Sequence, residues 1–278
     1  MGGKVRKKAP ASYFWPCSLN LWAPCLVGRS IPNYPMDTAR YPNLIPAYEH
    51  ERLEALRPYQ VLGTPGQGLF NDFVGVVAKL FEVPIALVSL VREHDVVFVG
   101  NEGLPGVSVV AREDSMCSVA ILQDALSVFE DLAAEPCALV NPFAAQALNL
   151  TFYAGQSLRT PGGLGIGSLC ILDRKARQLT PAEGLLLQQL ALVAQDLLQL
   201  QVTLAAGAAQ LPALRTRLDG PVLESLTRLH TLAELRAWDL TAGPADGQRY
   251  TDARLDEARH LAQALHRALQ AELAAAGR

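Results

Sequence analysis

Most of the chemistry this sequence could offer lies in its thiols. Cys117 stands in Ser115-Met116-Cys117-Ser118, where a short helix over Ser115–Leu122 is expected to begin. A helix start can lower a thiol pKa and favour the nucleophilic thiolate. As a nucleophile, Cys117 would need a second thiol within reach to resolve it. Cys137 stands in an irregular loop where exposure is expected. The competing expectation for Cys117 is packing, because free cysteines are commonly buried. Cys170 lies in the most apolar stretch of the chain and reads as packing. With Cys17 and Cys25 the count is odd, and no Cys-x-x-Cys occurs, so a structural metal site is not expected. The thiols are read as reduced, in a cytoplasmic protein. His50, His94, His230, His260 and His266 form no metal-like constellation, and there is no Ser-His-Asp set, phosphate loop or His-Glu-x-x-His.

The elements that must position these residues centre on Leu150–Asp173. Two β-rich arms, Leu150–Leu158 and Leu164–Asp173, flank Arg159-Thr160-Pro161-Gly162-Gly163, whose proline and glycines suit a reversal. The run Leu169-Cys170-Ile171-Leu172 does not alternate, so that arm should be buried on both faces. Ser168 is the polar exception, and its hydroxyl needs a partner from backbone or ligand. Gly165 and Gly167 would let another element come close, with helix packing preferred. Upstream, Glu49–Tyr59 and Leu69–Phe81 have helical spacing, broken by Gly63-Thr64-Pro65-Gly66. Strands are expected at Ile85–Val91, Val96–Asn101 and Ser127–Asp131. Thr180-Pro181-Ala182-Glu183 opens a long helix downstream of the hairpin.

Composition narrows the partners. The chain of 278 residues has a formal net charge of −3 and is half apolar, as a globular protein should be. Residues 41–210 hold 17 acidic against 9 basic side chains, a balance that repels phosphate backbones and makes nucleic acid an unfavoured partner. No apolar run is long enough to span a bilayer, so no membrane partner is expected. Residues 1–40 join a basic cluster to five scattered prolines and read as a disordered leader, from a reading frame whose true start is Met36. Residues 207–278 read as a helical tail. One stripe runs from Leu211 to Leu235 and ends near Trp238. A loop is expected over Thr241–Gly247, and a second stripe follows from Leu255 to Leu273. Such stripes need a covering surface, and the long helix continuing into this pair is the expected homodimer interface.

Six phrases in order then identify a family resemblance: RLEALRPYQVLGTPGQGLFND, LFEVPIALVSLV, SMCSVAIL, NPF, FYAGQSLRTPGGLGIGSLCILDR and LTPAEGLLLQQLALVAQDLL. Residues about 48–204 resemble the GAF domain, in the sensory branch of bacterial signalling proteins. The resemblance implies an α+β fold, with an antiparallel sheet of about six strands, helices on its faces and a C-terminal helical extension. The GAF domain would span 41–206. One sheet face would carry the first and last helices and the other a small-molecule cavity, with Phe98, Ser115, Cys117, Asp131, Tyr153 and Ser168 as ligand contacts. Bilin attachment is argued against, because Ser118 follows Cys117 where such domains carry histidine; the cofactor is otherwise unknown. His230, in Leu229-His230-Thr231-Leu232, does not fit a kinase phospho-acceptor, and no cyclase or phosphodiesterase output domain is recognisable. The reading is therefore a non-enzymatic sensory module that binds an unidentified small molecule and relays it through its C-terminal helices to a separate signalling partner. The alternatives are a thiol reductase resembling the free-methionine sulfoxide reductases, with Cys117 and Cys137 as its thiols, and a structural GAF dimer without ligand.

Overall fold

Strands with unbroken apolar runs belong where both sheet faces are covered, and the fold is built around that constraint. A computed structural model describes residues 41–61, 68–205, 224–234 and 244–276. Six antiparallel strands form one sheet in the order β3-β2-β1-β6-β5-β4. They are β1 (Ile85–Val91), β2 (Asp95–Glu102), β3 (Val109–Ala111), β4 (Ser127–Phe129), β5 (Phe152–Arg159) and β6 (Gly165–Asp173). The two central strands are β1, buried at every position, and β6, buried at all but Asp173. The expected hairpin is β5–β6, so the chain has the α+β architecture that the six phrases imply.

Alternation along the central strands divides the core in two. Ala86, Val88, Leu90, Leu169 and Ile171 face helices α1 (Glu49–Leu56), α2 (Leu69–Phe81) and α5 (Pro181–Ala205). Ile85, Leu87, Cys170, Leu172 and Tyr153 face the opposite way, into a smaller cluster with Phe98, Met116, Cys117 and Val140. Among the described residues that second side is covered by short pieces: 3-10 turns at Pro42–Leu44 and Arg112–Asp114, α3 (Cys117–Ala120), the loop from Leu132 to Val140, and α4 (Pro142–Ala147). The cavity lies among them.

The C-terminal region departs from its sequence reading in two respects. Helix α7 runs Pro244–Ala276, so four residues of the expected loop Thr241–Gly247 are helical. Proline at a first helical position explains this, since its fixed φ suits the turn and its missing N–H has no partner to lose there. The second departure is where the stripe goes. Leu255, Ala258, Ala262, Leu265 and Leu269 are buried in this chain's own large core, against α5. Residues 224–234 form α6, which adds Leu226 and Leu229 to the same core. These residues of α6 and α7 are thus covered from within the chain. The leader at 1–40, the break at Gly63–Gly66, the stripe residues Leu211–Val222 and Leu235, and Trp238 lie outside the described residues.

Polar contacts fix the register of this helical layer. Asp196 of α5 is buried and accepts from Gln270 Nε2 at 2.5 Å, while its other oxygen lies 2.5 Å from His266 Nδ1. Arg254 reaches Leu80 O at 3.4 Å and Glu82 at 3.1 Å, and Lys79 bridges to Glu234 at 2.7 Å. Leu269→Ala should therefore cost about 2–5 kcal/mol of domain stability, as for other fully buried leucines. The check is the denaturant midpoint of the whole chain; an unchanged midpoint would mean α7 is not packed on α5.

Candidate functional site

The cavity is assembled from residues far apart in sequence. Phe98 comes from β2, Ser115, Met116 and Cys117 from the start of α3, and Tyr153 from β5. Leu132, Cys137 and Val140 come from the loop, and Ala144 and Ala145 from α4. Its volume is about 50 Å³, room for a few waters, since one needs roughly 10–15 Å³. Drug-sized ligands occupy pockets of about 300–1,000 Å³. In this conformation the cavity admits very small guests, and a metabolite would have to displace a wall.

Helix α4 is an outer wall of the cavity. None of its residues is buried, and Phe143 is 65% exposed. Asn141 holds its near end: its side-chain oxygen accepts from Phe143 N at 3.2 Å, and its amide donates to Asp114 Oδ1 at 2.8 Å. Asn141 N also donates to Glu113 O at 2.7 Å, so the start of α4 is joined to the turn that leads into α3. Sequence reasoning gave Asn141 no role, although asparagine directly before proline is an N-cap signal.

Ser115 and Cys117 at the cavity lead to a group of small polar side chains behind its wall. The Sγ atoms of Cys117 and Cys170 lie 3.6 Å apart, and both residues are buried. Cys117 N donates to Ser115 Oγ at 3.3 Å. A hydrogen bond from Cys170 draws the Cys117 thiol down to about 6, against the opposing cost of burial, with Ser168, Ser89 and Ser115 adding to the effect. Burial pushes the Cys170 thiol well up. The Tyr153 ring leans along β5 over Gly155, where a Cβ would come within 2.2 Å of the phenol oxygen. That hydroxyl is buried near Cys117, Cys170 and Ser168 and meets none of them in hydrogen-bond geometry. It is an unpartnered donor at the wall of a cavity.

Of the six residues expected to contact a ligand, Phe98, Ser115, Cys117 and Tyr153 line the cavity. Ser168 does not; its hydroxyl is 3.0 Å from Ser89 Oγ, so its partner is the neighbouring strand. Asp131 does not either, because its carboxylate caps the next turn, accepting from Ala133 N at 3.0 Å and Ala134 N at 3.1 Å. Cys137 corrects the expectation of exposure: the loop folds its apolar residues over the cavity and buries the thiol. The thiol in contact with Cys117 is Cys170, read from sequence as packing alone. Ser118 is turned away, donating to Arg112 O at 2.7 Å. Gly165 is approached by the C-terminal end of α3, as helix packing requires, and Gly167 by the backbone of β1. A Cβ on Gly165 would lie 2.9 Å from Ile121 O, and one on Gly167 would lie 1.8 Å from Ser89 O. Among the described residues no cluster of three or more His, Cys, Asp or Glu could hold a metal. No described helix is long and apolar enough to cross a membrane.

A six-stranded sheet in this order, with helices on one face and a cavity under short elements on the other, is the architecture that the resemblance to the GAF domain implies. Comparison with protein-family models finds no match. Among curated proteins the chain is similar to Cyclic di-GMP phosphodiesterase PA2567 of Pseudomonas aeruginosa, 31% identical over 132 residues. The match covers 48% of this chain and 22% of that protein, so the chain spans about a fifth of the relative's length. Similar solved structures include the GAF domain from Acinetobacter phosphoenolpyruvate-protein phosphotransferase, at 13% identity over 55% of this chain and 92% of that one, with a TM-score of 0.38. Another is the free methionine-R-sulfoxide reductase from Neisseria meningitidis in complex with its substrate, at 16% identity over 51% of this chain and 84% of that one, with a TM-score of 0.40.

The curated relative corrects one expectation. The absence of a catalytic set led to a reading of this protein as not an enzyme; the relative carries the name of an enzyme, and that reading is withdrawn. Catalysis in a long chain can rest on residues outside the stretch matched here, so the lack of a catalytic set within this stretch carries no weight against it.

Proposed function

We propose that this GAF domain is a regulatory module that binds a small molecule in the cavity beneath α4 and relays its occupancy to the C-terminal helices. The observation that carries this reading is the Tyr153 hydroxyl, buried and unpartnered on a residue that lines the cavity. A buried polar group without a partner costs about 1–3 kcal/mol, a cost that a ligand acceptor would remove. The route outward is short. Tyr153 pairs with Leu172 across β5 and β6, and β6 leads through residues 174–180 into α5, on which α7 is packed. Movement of α4 admits a guest larger than the closed cavity holds. Likeness to a cyclic di-GMP phosphodiesterase supports cyclic-dinucleotide signalling as the process served. A homodimer would use a surface other than the stripe of α7, and a separate signalling partner would read the same helices.

Tyr153→Phe tests the reading because it keeps the ring and removes only the hydroxyl. Without ligand, the variant should be as stable as the wild type or more stable by about 1 kcal/mol. In native mass spectrometry of the freshly purified full chain, the variant should lose the small molecule that the wild type retains. A wild type that retains nothing, or a destabilised Tyr153→Phe, would overturn the reading; the second result would mean the hydroxyl is already satisfied inside the protein.

A further inference from the structure

From the contact between a thiol that lines a small cavity and a second thiol behind it, we infer that Cys117 and Cys170 form a peroxide-reactive dithiol, oxidised to a disulfide by small hydroperoxides. Three observations carry this. The sulfur atoms are 3.6 Å apart, and a disulfide needs about 2.05 Å, so about 1.5 Å of closure suffices. Cys117 lines the cavity while Cys170 lies behind it, which sets the order of attack. The cavity, at about 50 Å³, takes hydrogen peroxide and turns away bulky disulfides. The lowered pKa of Cys117 adds thiolate to the side that meets the oxidant. The pair links α3 to β6, so closing it draws a rim of the cavity onto the strand that leads to α5.

The chemistry balances with peroxide as the only co-reactant. The Cys117 thiolate attacks one peroxide oxygen; the S–O bond forms, the O–O bond breaks, and the departing hydroxide takes up the thiol proton as water. Cys117 is then a sulfenic acid. Cys170 attacks that sulfur; the S–S bond forms, the S–O bond breaks, and hydroxide leaves with the Cys170 proton as a second water. Two thiols lose two electrons, and one peroxide becomes two waters. Excess small dithiol reverses the change.

The test treats the full chain with hydrogen peroxide, blocks remaining thiols and maps the peptides, which separates these residues from Cys17 and Cys25. The expected product is a Cys117–Cys170 cross-linked peptide, lighter by two hydrogens and lost on reduction. Cys137→Ser should leave it in place. Cys170→Ser should instead leave a sulfenic acid at Cys117, trapped by a cyclic diketone. Oxidised glutathione should give no cross-link. Any of three results overturns the inference: no cross-link at peroxide levels that oxidise an exposed thiol, a cross-link between Cys117 and Cys137, or equal reaction with the bulky disulfide. If Cys170→Ser fails to fold, the wild-type and Cys137→Ser maps still decide it. The dithiol needs no bound ligand; the peptide map and the native spectrum of the ligand test report separately, so either reading can fail alone.

Discussion

Gly167→Ala is expected to destabilise the domain by at least the upper end of the about 1–3 kcal/mol typical of overpacking, and to prevent folding if β6 cannot shift. Two effects compete, and their sizes decide the outcome. Alanine would ordinarily help a strand by about 0.5–1 kcal/mol through a less entropic unfolded chain. Here its Cβ would stand 1.8 Å from Ser89 O and 3.1 Å from the Leu90 Cα, both backbone atoms of the central strand β1. No rotamer relieves a clash with backbone. The close approach coincides with the register shift of β1 against β2 between Val88 and Ser89. Gly162→Ala in the β5–β6 turn is the control: its nearest neighbour would be Thr160 Oγ1 at 3.7 Å, and it should stay within about 0.5 kcal/mol of wild type. Urea denaturation of both variants measures the contrast. Equal midpoints would mean the two central strands are farther apart than described.

What the sequence disclosed follows from the range of the forces involved. β1 and β6 were legible because burial on both faces writes itself as a continuous apolar run, and α2 because one buried face gives helical spacing. The pairing of Cys117 with Cys170 was not, since it joins residues 53 apart through a fold no local pattern encodes. Cys137 was misread because an irregular loop resembles a solvated one until it is seen to fold over a cavity. The stripe of α7 was legible as a stripe, yet its covering surface was not, because a helix buries against its own domain or a second copy with the same periodicity. Least visible of all were Arg52 and Arg112. In sequence they are ordinary surface charges; in the fold they are among the largest fully buried side chains.

Those two arginines meet at Glu49, and Glu49→Gln is expected to cost about 3–5 kcal/mol, because it leaves two buried guanidinium groups without a counter-charge. Arg52 binds the carboxylate through Nε at 2.8 Å and Nη2 at 2.6 Å, and Arg112 through Nη1 at 2.6 Å and Nη2 at 3.1 Å. Backbone carbonyls supply the remaining partners, including Val91 O to Arg52 at 2.7 Å, but carry no formal charge. Glu54→Gln makes the comparison sharp. Glu54 meets Arg57 at the same 2.6 Å, yet that pair is exposed, and its loss should change stability by at most about 0.5 kcal/mol. Distance is equal; burial decides. Burial alone would raise the Glu49 carboxyl, but the hydrogen bonds and charges of Arg52 and Arg112 override it and hold the group below its ordinary 4.5. A depressed folded pKa contributes stability that is complete above the unfolded value and lost as pH falls through the folded one. Wild-type stability should therefore drop below about pH 4.5, and Glu49→Gln should lack that part of the drop. The clamp also reaches the cavity, because Arg112 O accepts from Ser118 and the Arg112–Asp114 turn leads into Ser115 and Cys117. Loosening it should speed alkylation of Cys117, under native conditions, relative to Glu54→Gln. A Glu49→Gln protein as stable as Glu54→Gln, with Cys117 equally protected, would mean that neither arginine depends on that carboxylate and that the rim of the cavity is held by something else.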